Sequence, residues 1–380
     1  MPELPIYLDN NATTPCDPEV VEAMLPFFTK QYGNASSHAH YYGWSAEEAV
    51  EQARENVAAL LGFTAGEIVF TSGATESINL GIRGFLKNRS HLKNHIVTWE
   101  TEHRAVLDTL ASIEAEGTAV TRLPVDRYGL PDLDLLEKSI RPETSLICMM
   151  YANNETGMIM PVAAASEIAQ AKGIALFCDA TQAVGKIETN LSSLSLVACS
   201  AHKFYGPKGV GALAINKKQS EVKISAMQYG GGHEHGIRSG TLNVPGIVGL
   251  GKAAQVAAKK RSQESVELSV MRNQLMNEIL EINQTKLNGK LELLLPHVAN
   301  ISFAFPGGDT LLRTISKHIA ASSGSACSSA SNRPSHVLKA MNLSDSDALA
   351  SIRFSLGRFT TAQEIDRAID VIKTAVKKLG

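Results

Sequence analysis

The sequence carries no excess charge of either sign. Its 36 Lys and Arg against 38 Asp and Glu leave a net charge of -2, which gives no electrostatic reason to expect nucleic acid or an anionic membrane. No uninterrupted apolar run is long enough to span a bilayer, and Met1-Pro2-Glu3-Leu4-Pro5 lacks the basic and apolar regions of a signal peptide. There is no Cys-x-x-Cys pair, and an odd count of 5 cysteines suits a reducing compartment better than a disulfide framework. His38 and His40 have no third ligand nearby, so no metal is expected there. Repeats and low-complexity segments are also missing. These absences predict a cytoplasmic protein that binds neither nucleic acid nor a membrane.

What is present is a long alternation of apolar strands and amphipathic helices. The 380 residues suffice for one large domain and a smaller one. Strands are expected at 68–70, 96–98, 119–123, 146–151, 175–178, 194–200 and 211–215, with helices between them, which predicts an α/β fold with a mainly parallel sheet. Long helices are expected over 245–260 and 265–282. The remainder changes character. It has a strand at 299–303, a helix at 310–317, a strand at 351–355 and a last helix opened by a capping box at Thr361 and Glu364. It reads as a smaller α+β domain joined by the N-terminal strand at 6–8.

Chemistry-bearing residues gather where strands end, the edge at which ligands bind open α/β sheets. Lys203 follows an apolar strand and precedes the turn formers 205–209, and Asp179 ends the strand before it. A partly shielded lysine becomes a nucleophile able to form a Schiff base. A lysine and an aspartate so placed are what pyridoxal phosphate requires, one for the aldehyde carbon and one for the ring nitrogen. Thr71-Ser72-Gly73-Ala74-Thr75-Glu76-Ser77 links a strand to a helix, where backbone amides bind phosphate well. Taken singly, Lys203 reads as an exposed loop lysine and residues 72–77 as an ordinary helix cap. Their convergence on one cofactor separates the readings. Glycine-dense 229–241, with Arg238 and Thr241, points to anion binding. Cys148, Cys178 and Cys199 lie in apolar runs, whereas Cys327 sits in a polar stretch of small residues, 322–330.

With these residues in view, the chain resembles the cysteine desulfurases of the nitrogen-fixation and iron–sulfur-cluster type, within the class V aminotransferase fold. The resemblance rests on Tyr-Leu-Asp-Asn-Asn-Ala-Thr-Thr-Pro at 7–15, the 71–77 run, Thr-Glu-His at 101–103 and Asn-Asn-Glu-Thr-Gly at 153–157. It continues through Asp-Ala-Thr-Gln at 179–182, Ser-Ala-His-Lys at 200–203, Arg-Ser-Gly-Thr at 238–241, Ser-Ser-Gly-Ser-Ala-Cys at 322–327 and Ile-Arg-Phe-Ser-Leu-Gly-Arg at 352–358. It covers almost the whole chain. Ala35 departs from the proline usual in the Gly-Asn-Pro-Ser-Ser loop. The chain stops at Gly380 without the extension by which housekeeping members grip their scaffold. Together with Asn-Asn-Glu-Thr-Gly, this tilts the expectation towards the nitrogen-fixation-like branch.

The resemblance implies a fold type I pyridoxal-phosphate enzyme, its large cofactor domain spanning 15–257. Residues 1–14 and 258–380 would form a small domain carrying the cysteine loop. It implies that Lys203 forms the Schiff base, Asp179 pairs with the pyridine nitrogen, and His103 stacks on the ring and helps move protons. Asn154 and Gln182 would contact the ring hydroxyl side. Thr75, Ser200, His202 and the amide of Ala74 would hold the phosphate, with Thr241 reaching over from the second subunit of a homodimer. Arg353 would bind the substrate carboxylate, with Asn154 beside it, since a guanidinium fork suits that group. Cys327 would accept sulfur from L-cysteine as a persulfide and pass it to an acceptor such as an iron–sulfur scaffold protein. The rival readings are a selenocysteine lyase, another class V aminotransferase, or a binding module without turnover.

Overall fold

The computed structural model describes residues 4–89, 94–219, 222–323 and 333–379. Its centre is a seven-stranded sheet in the order Ile68–Thr71, Gly211–Ile215, Leu196–Ser200, Ala175–Asp179, Thr144–Met150, His95–Trp99 and Ala119–Leu123. Gly211–Ile215 runs against both neighbours, and every other pairing is parallel. Central strands are buried at every position because helices cover both faces, so they read as apolar runs rather than alternating ones. The edge strand Ala119–Leu123 keeps Thr121 and Arg122 partly open to water. Cys148, Cys178 and Cys199 are fully enclosed in this sheet. Burial pushes the Cys199 thiol up to about 12, as suits packing residues rather than nucleophiles.

A second core sits beside this one. An antiparallel sheet of Ser351–Ser355, Val298–Phe303 and Thr285–Leu287 packs with the helices Gly308–Ile315 and Ala362–Leu379. Ile6 and Leu8 belong to the same apolar cluster, and Ile6–Tyr7 pairs in parallel with Ile319–Ala320. The capping box of the last helix forms as expected: Thr361 N donates to Glu364 Oε2 at 2.8 Å, and Glu364 N to Thr361 Oγ1 at 3.2 Å.

One expectation fails here. The segments 245–260 and 265–282 are not separate helices but one, Val244–Leu280. Nothing between them breaks a helix, since Arg261-Ser262-Gln263-Glu264 contains neither glycine nor proline. Its first half packs on the main core and its second half on the smaller one. Gly251 lets it approach the helix Tyr41–Leu61 closely, because a Cβ there would lie 2.5 Å from Ala53 Cα. Among the described residues no helix is long and apolar enough to cross a membrane.

Candidate active site

The parallel strands all end at one edge, and a cavity of about 1000 Å³ opens there. Ser200 is the last residue of its strand and Lys203 lies in the helical turn that follows. Asp179 ends the adjacent strand. Thr71 ends another and leads into the helix Ala74–Asn88, and His103 caps the helix Arg104–Ala115 beyond Trp99.

The helix Ala74–Asn88 begins without a side-chain cap. Its N-cap, Gly73, adopts φ +148, a conformation that favours glycine. The cap reading of residues 72–77 therefore fails, and the first amides of the helix are left for another partner. Ser72, Gly73, Ala74, Thr75, Ser200 and His202 line this end of the cavity. Gly211 packs directly beneath, where an added Cβ would come within 2.7 Å of Gly73 Cα. His202 Nδ1 lies 3.1 Å from Thr13 Oγ1. Burial, with the charges of Lys203 and Lys208, pushes this imidazole down to about 4, so it is neutral near pH 7.

At the other end, Lys203 Nζ donates to the carbonyls of Asn11 at 2.6 Å and Ala12 at 2.8 Å. Asp179 is buried and its Oδ1 accepts from Thr181 N at 3.0 Å. Gln182 Nε2 donates to the same Asn11 carbonyl at 3.1 Å. The ring of His103 lines the cavity, its Nδ1 accepting from Ala105 N at 3.1 Å. Arg353 is buried, with Nη2 2.6 Å from Asp9 Oδ1 and Nη1 donating to the Asn154 carbonyl at 2.8 Å. Behind the wall, burial and then the charge of Asp179 drive the Glu102 carboxyl well above the usual carboxylate range, against a 2.8 Å bond from Met150 N.

Ten of the expected residues thus line one cavity: Ala74, Thr75, His103, Asn154, Asp179, Gln182, Ser200, His202, Lys203 and Arg353. Thr241 does not. It is exposed and stands outside its own chain's cavity. Cys327 lies outside the described residues; on the near side Ser322 bridges to the backbone of Arg353, and on the far side Arg333 to His336 line the cavity. Arg238 meets a carboxylate of its own chain, Glu76 at 2.7 Å. The glycine-rich loop is pinned by a residue to which sequence reasoning gave no role: Glu234 is buried and receives Arg54 at two points, 2.8 Å each. Sequence reasoning also missed Asn11 and Ala12, which line the site from the N-terminal loop. The run of turn formers at 9–15 signalled a loop but not where it docks.

These residues fit pyridoxal phosphate. Uncapped amides and two hydroxyl-bearing residues suit its phosphate, a carboxylate its ring nitrogen, and an amine its aldehyde carbon. A mainly parallel sheet with lysine and aspartate at adjacent strand ends beside that helix terminus defines a fold type I enzyme of the pyridoxal-phosphate class. The chain belongs to the class-V aminotransferase family, which it matches over residues 6–368. A relative from Anaeromyxobacter dehalogenans named cysteine desulfurase IscS is 49% identical over 380 residues, covering 99% of this chain and 94% of its own. One of the same name from Salmonella schwarzengrund is 48% identical over 381 residues, covering 99% of this chain and 94% of its own. The solved structure of a NifS-like protein superposes with a TM-score of 0.91 at 37% identity, covering 99% of this chain and all of the other. The structure of SspA in complex with cysteine superposes at 0.83 with 35% identity, covering 94% and 100% of the two chains.

Proposed function

We infer that this chain is a pyridoxal-phosphate-dependent cysteine desulfurase, converting L-cysteine to L-alanine and taking the sulfur onto Cys327 as a persulfide. The observation that carries the reading is the convergence of Lys203, Asp179, His103 and Arg353 on one cavity with an uncapped helix terminus. The amides of Ala74 and Thr75, with Ser200 and His202, hold the phosphate, and Thr241 of a second copy completes that cradle. Asp179 keeps the ring nitrogen protonated, His103 covers the ring face, and Asn154 and Gln182 border the ring hydroxyl. When bound, the cofactor supplies an electron sink for the pair left at the substrate α-carbon.

Arg353 binds the substrate carboxylate and Lys203 removes the α-proton. The carbonyls of Asn11 and Ala12 receive hydrogens of the Lys203 amine and so direct its lone pair. Cys327, as thiolate with His103 as its base, attacks the substrate sulfur. The S–S bond forms as the Cβ–S bond breaks, the electron pair stays with the carbon fragment, and proton uptake gives alanine. The persulfide then passes to an acceptor protein such as an iron–sulfur scaffold, supplying sulfur for cluster assembly and other thio-cofactors in the cytoplasm.

The apolar clusters on either side of the helix Val244–Leu280 support a large unit of residues 15–257 and a small one of 1–14 with 258–380. Thr241 standing outside its own cavity, with exposed Phe28, Tyr32, Tyr41 and Trp44, supports a homodimer. The test is to supply L-cysteine to the cofactor-loaded protein and quantify alanine and sulfide. A keto acid in place of alanine would return the function to an aminotransferase. Selenocysteine turned over in preference to cysteine would make it a lyase.

A further inference from the structure

Beneath the site lies a lysine with no part in the chemistry above. Lys186 is 9% exposed, and its Nζ lies 3.3 Å from Gln182 Oε1, 3.4 Å from Asn11 Oδ1 and 3.0 Å from His297 Nε2. Among the described residues no carboxylate pairs with it. His297 is itself buried, and its Nε2 lies 2.9 Å from the same Asn11 Oδ1.

Hydrogen bonds around Asn11 settle where the protons are. Asn11 Nδ2 donates to the Asn154 carbonyl at 3.1 Å, so the atom facing His297 is the amide oxygen, which only accepts. His297 Nε2 must therefore carry the hydrogen. Its Nδ1 is then a bare acceptor, in keeping with its lack of any partner; an orphaned buried N–H is the rarer arrangement. The single Nε2 hydrogen is shared between Asn11 Oδ1 and the amine 3.0 Å away, which can accept it only through a lone pair that an ammonium lacks. A neutral Lys186 fits all three neighbours, accepting from His297 and donating to Gln182 and Asn11. An ammonium would instead set two acceptors face to face at His297 and Asn11 and strand a buried N–H at Nδ1. Burial, followed by the charges of Lys203 and Arg353, holds this amine well below its usual range. Burial likewise depresses His297, with the charges of Arg272 and Arg353 adding to it.

The network ends on the chemistry. With its oxygen held by Lys186, Gln182 turns its Nε2 to the Asn11 carbonyl, the same oxygen that receives Lys203 Nζ at 2.6 Å. Asn11 Nδ2 shares the Asn154 carbonyl with Arg353. We propose that Lys186 is a positioning residue, an uncharged amine between His297, Asn11 and Gln182 that fixes the carbonyl directing the Lys203 lone pair. The proposal rests on Lys203 acting as the proton-transferring amine.

The test uses Lys186→Met, which keeps length and apolar volume, in the full cofactor-loaded chain. Misdirection of Lys203 lowers kcat for alanine formation about 10- to 100-fold and leaves KM within about twofold. Because no charge is removed, the pH midpoint of the cofactor's visible band moves by less than about half a unit. An unchanged kcat overturns the positioning role. A midpoint raised by about one unit or more means that an ammonium was lost, and overturns the neutral assignment. Should Lys186→Met fail to fold, ¹⁵N-histidine NMR of the unaltered protein decides: the ring hydrogen of His297 is expected on Nε2, and finding it on Nδ1 refutes the network. An unaltered chain that makes no alanine would sink the desulfurase reading alone, since the His297 result stands apart from turnover.

Discussion

Replacing Glu234 with alanine strips the buried guanidinium of Arg54 of the carboxylate that meets it at two points, 2.8 Å each. The Arg54 and Glu234 side chains are 5% and 1% exposed, so the guanidinium loses its partner inside the protein rather than in bulk water. Breaking a buried pair from one side costs about 3–5 kcal/mol. Arg54 keeps the Ile68 carbonyl at 2.9 Å and half-exposed Glu51 at 3.0 Å, which places its share at the lower end. Phe70 N also loses the acceptor it reaches at 2.7 Å, and an unsatisfied buried amide costs about 1–3 kcal/mol. The expected total is about 4 kcal/mol, or a melting temperature lower by roughly 5–10 °C for a chain of this size. Glu234 and His235 hold left-handed backbone at φ 51 and 56, so the loop has little reason to stay once the anchor is gone. Thermal denaturation of Glu234→Ala and of Arg54→Met/Glu234→Leu checks this, with the double variant expected to be the more stable of the two. A Glu234→Ala melting temperature within about 2 °C of the unaltered protein would refute the anchoring argument.

Other outcomes follow from the site. Gly211→Ala puts a Cβ 2.5 Å from the Cys199 carbonyl and 2.7 Å from Gly73 Cα. It should weaken cofactor retention and cost about 1–3 kcal/mol by overpacking, read by equilibrium dialysis and denaturant titration. Arg353→Lys loses the planar fork, so KM for L-cysteine should rise about tenfold or more with kcat less affected in steady-state kinetics. His202, His95 and His297 all titrate below their ordinary value through burial, His202 at about 4. The unfolded chain therefore binds more protons below about pH 6.5, and stability is lost as pH falls through that window. The melting temperature of the cofactor-free protein should drop between pH 7 and 5, and His202→Asn should flatten the slope; a flat profile for the unaltered protein contradicts this.

The sheet was legible because central strands of a covered sheet are apolar runs, and 196–200 and 211–215 have nothing else to be. Lys203 and Asp179 were legible for a related reason: a charged residue that closes such a run, or follows it within one turn, sits near its end. Long-range docking was not legible. Glu234 is a charged residue in a glycine-rich loop, and only folding brings Arg54 of a distant helix to it. Lys186 follows Gln182 by four residues, but its other partners come from Asn11 and His297, far away in the chain. The expected gap between residues 260 and 265 is absent because the helix runs on without a break as it passes from one core to the other.

The most direct test of the account is mass spectrometry of the cofactor-loaded protein after brief exposure to L-cysteine, paired with alanine quantification. One added sulfur atom on Cys327, with alanine formed in proportion, is the expected result. Alanine formed while Cys327 stays unmodified, with the sulfur on another residue or released directly as sulfide, would contradict it.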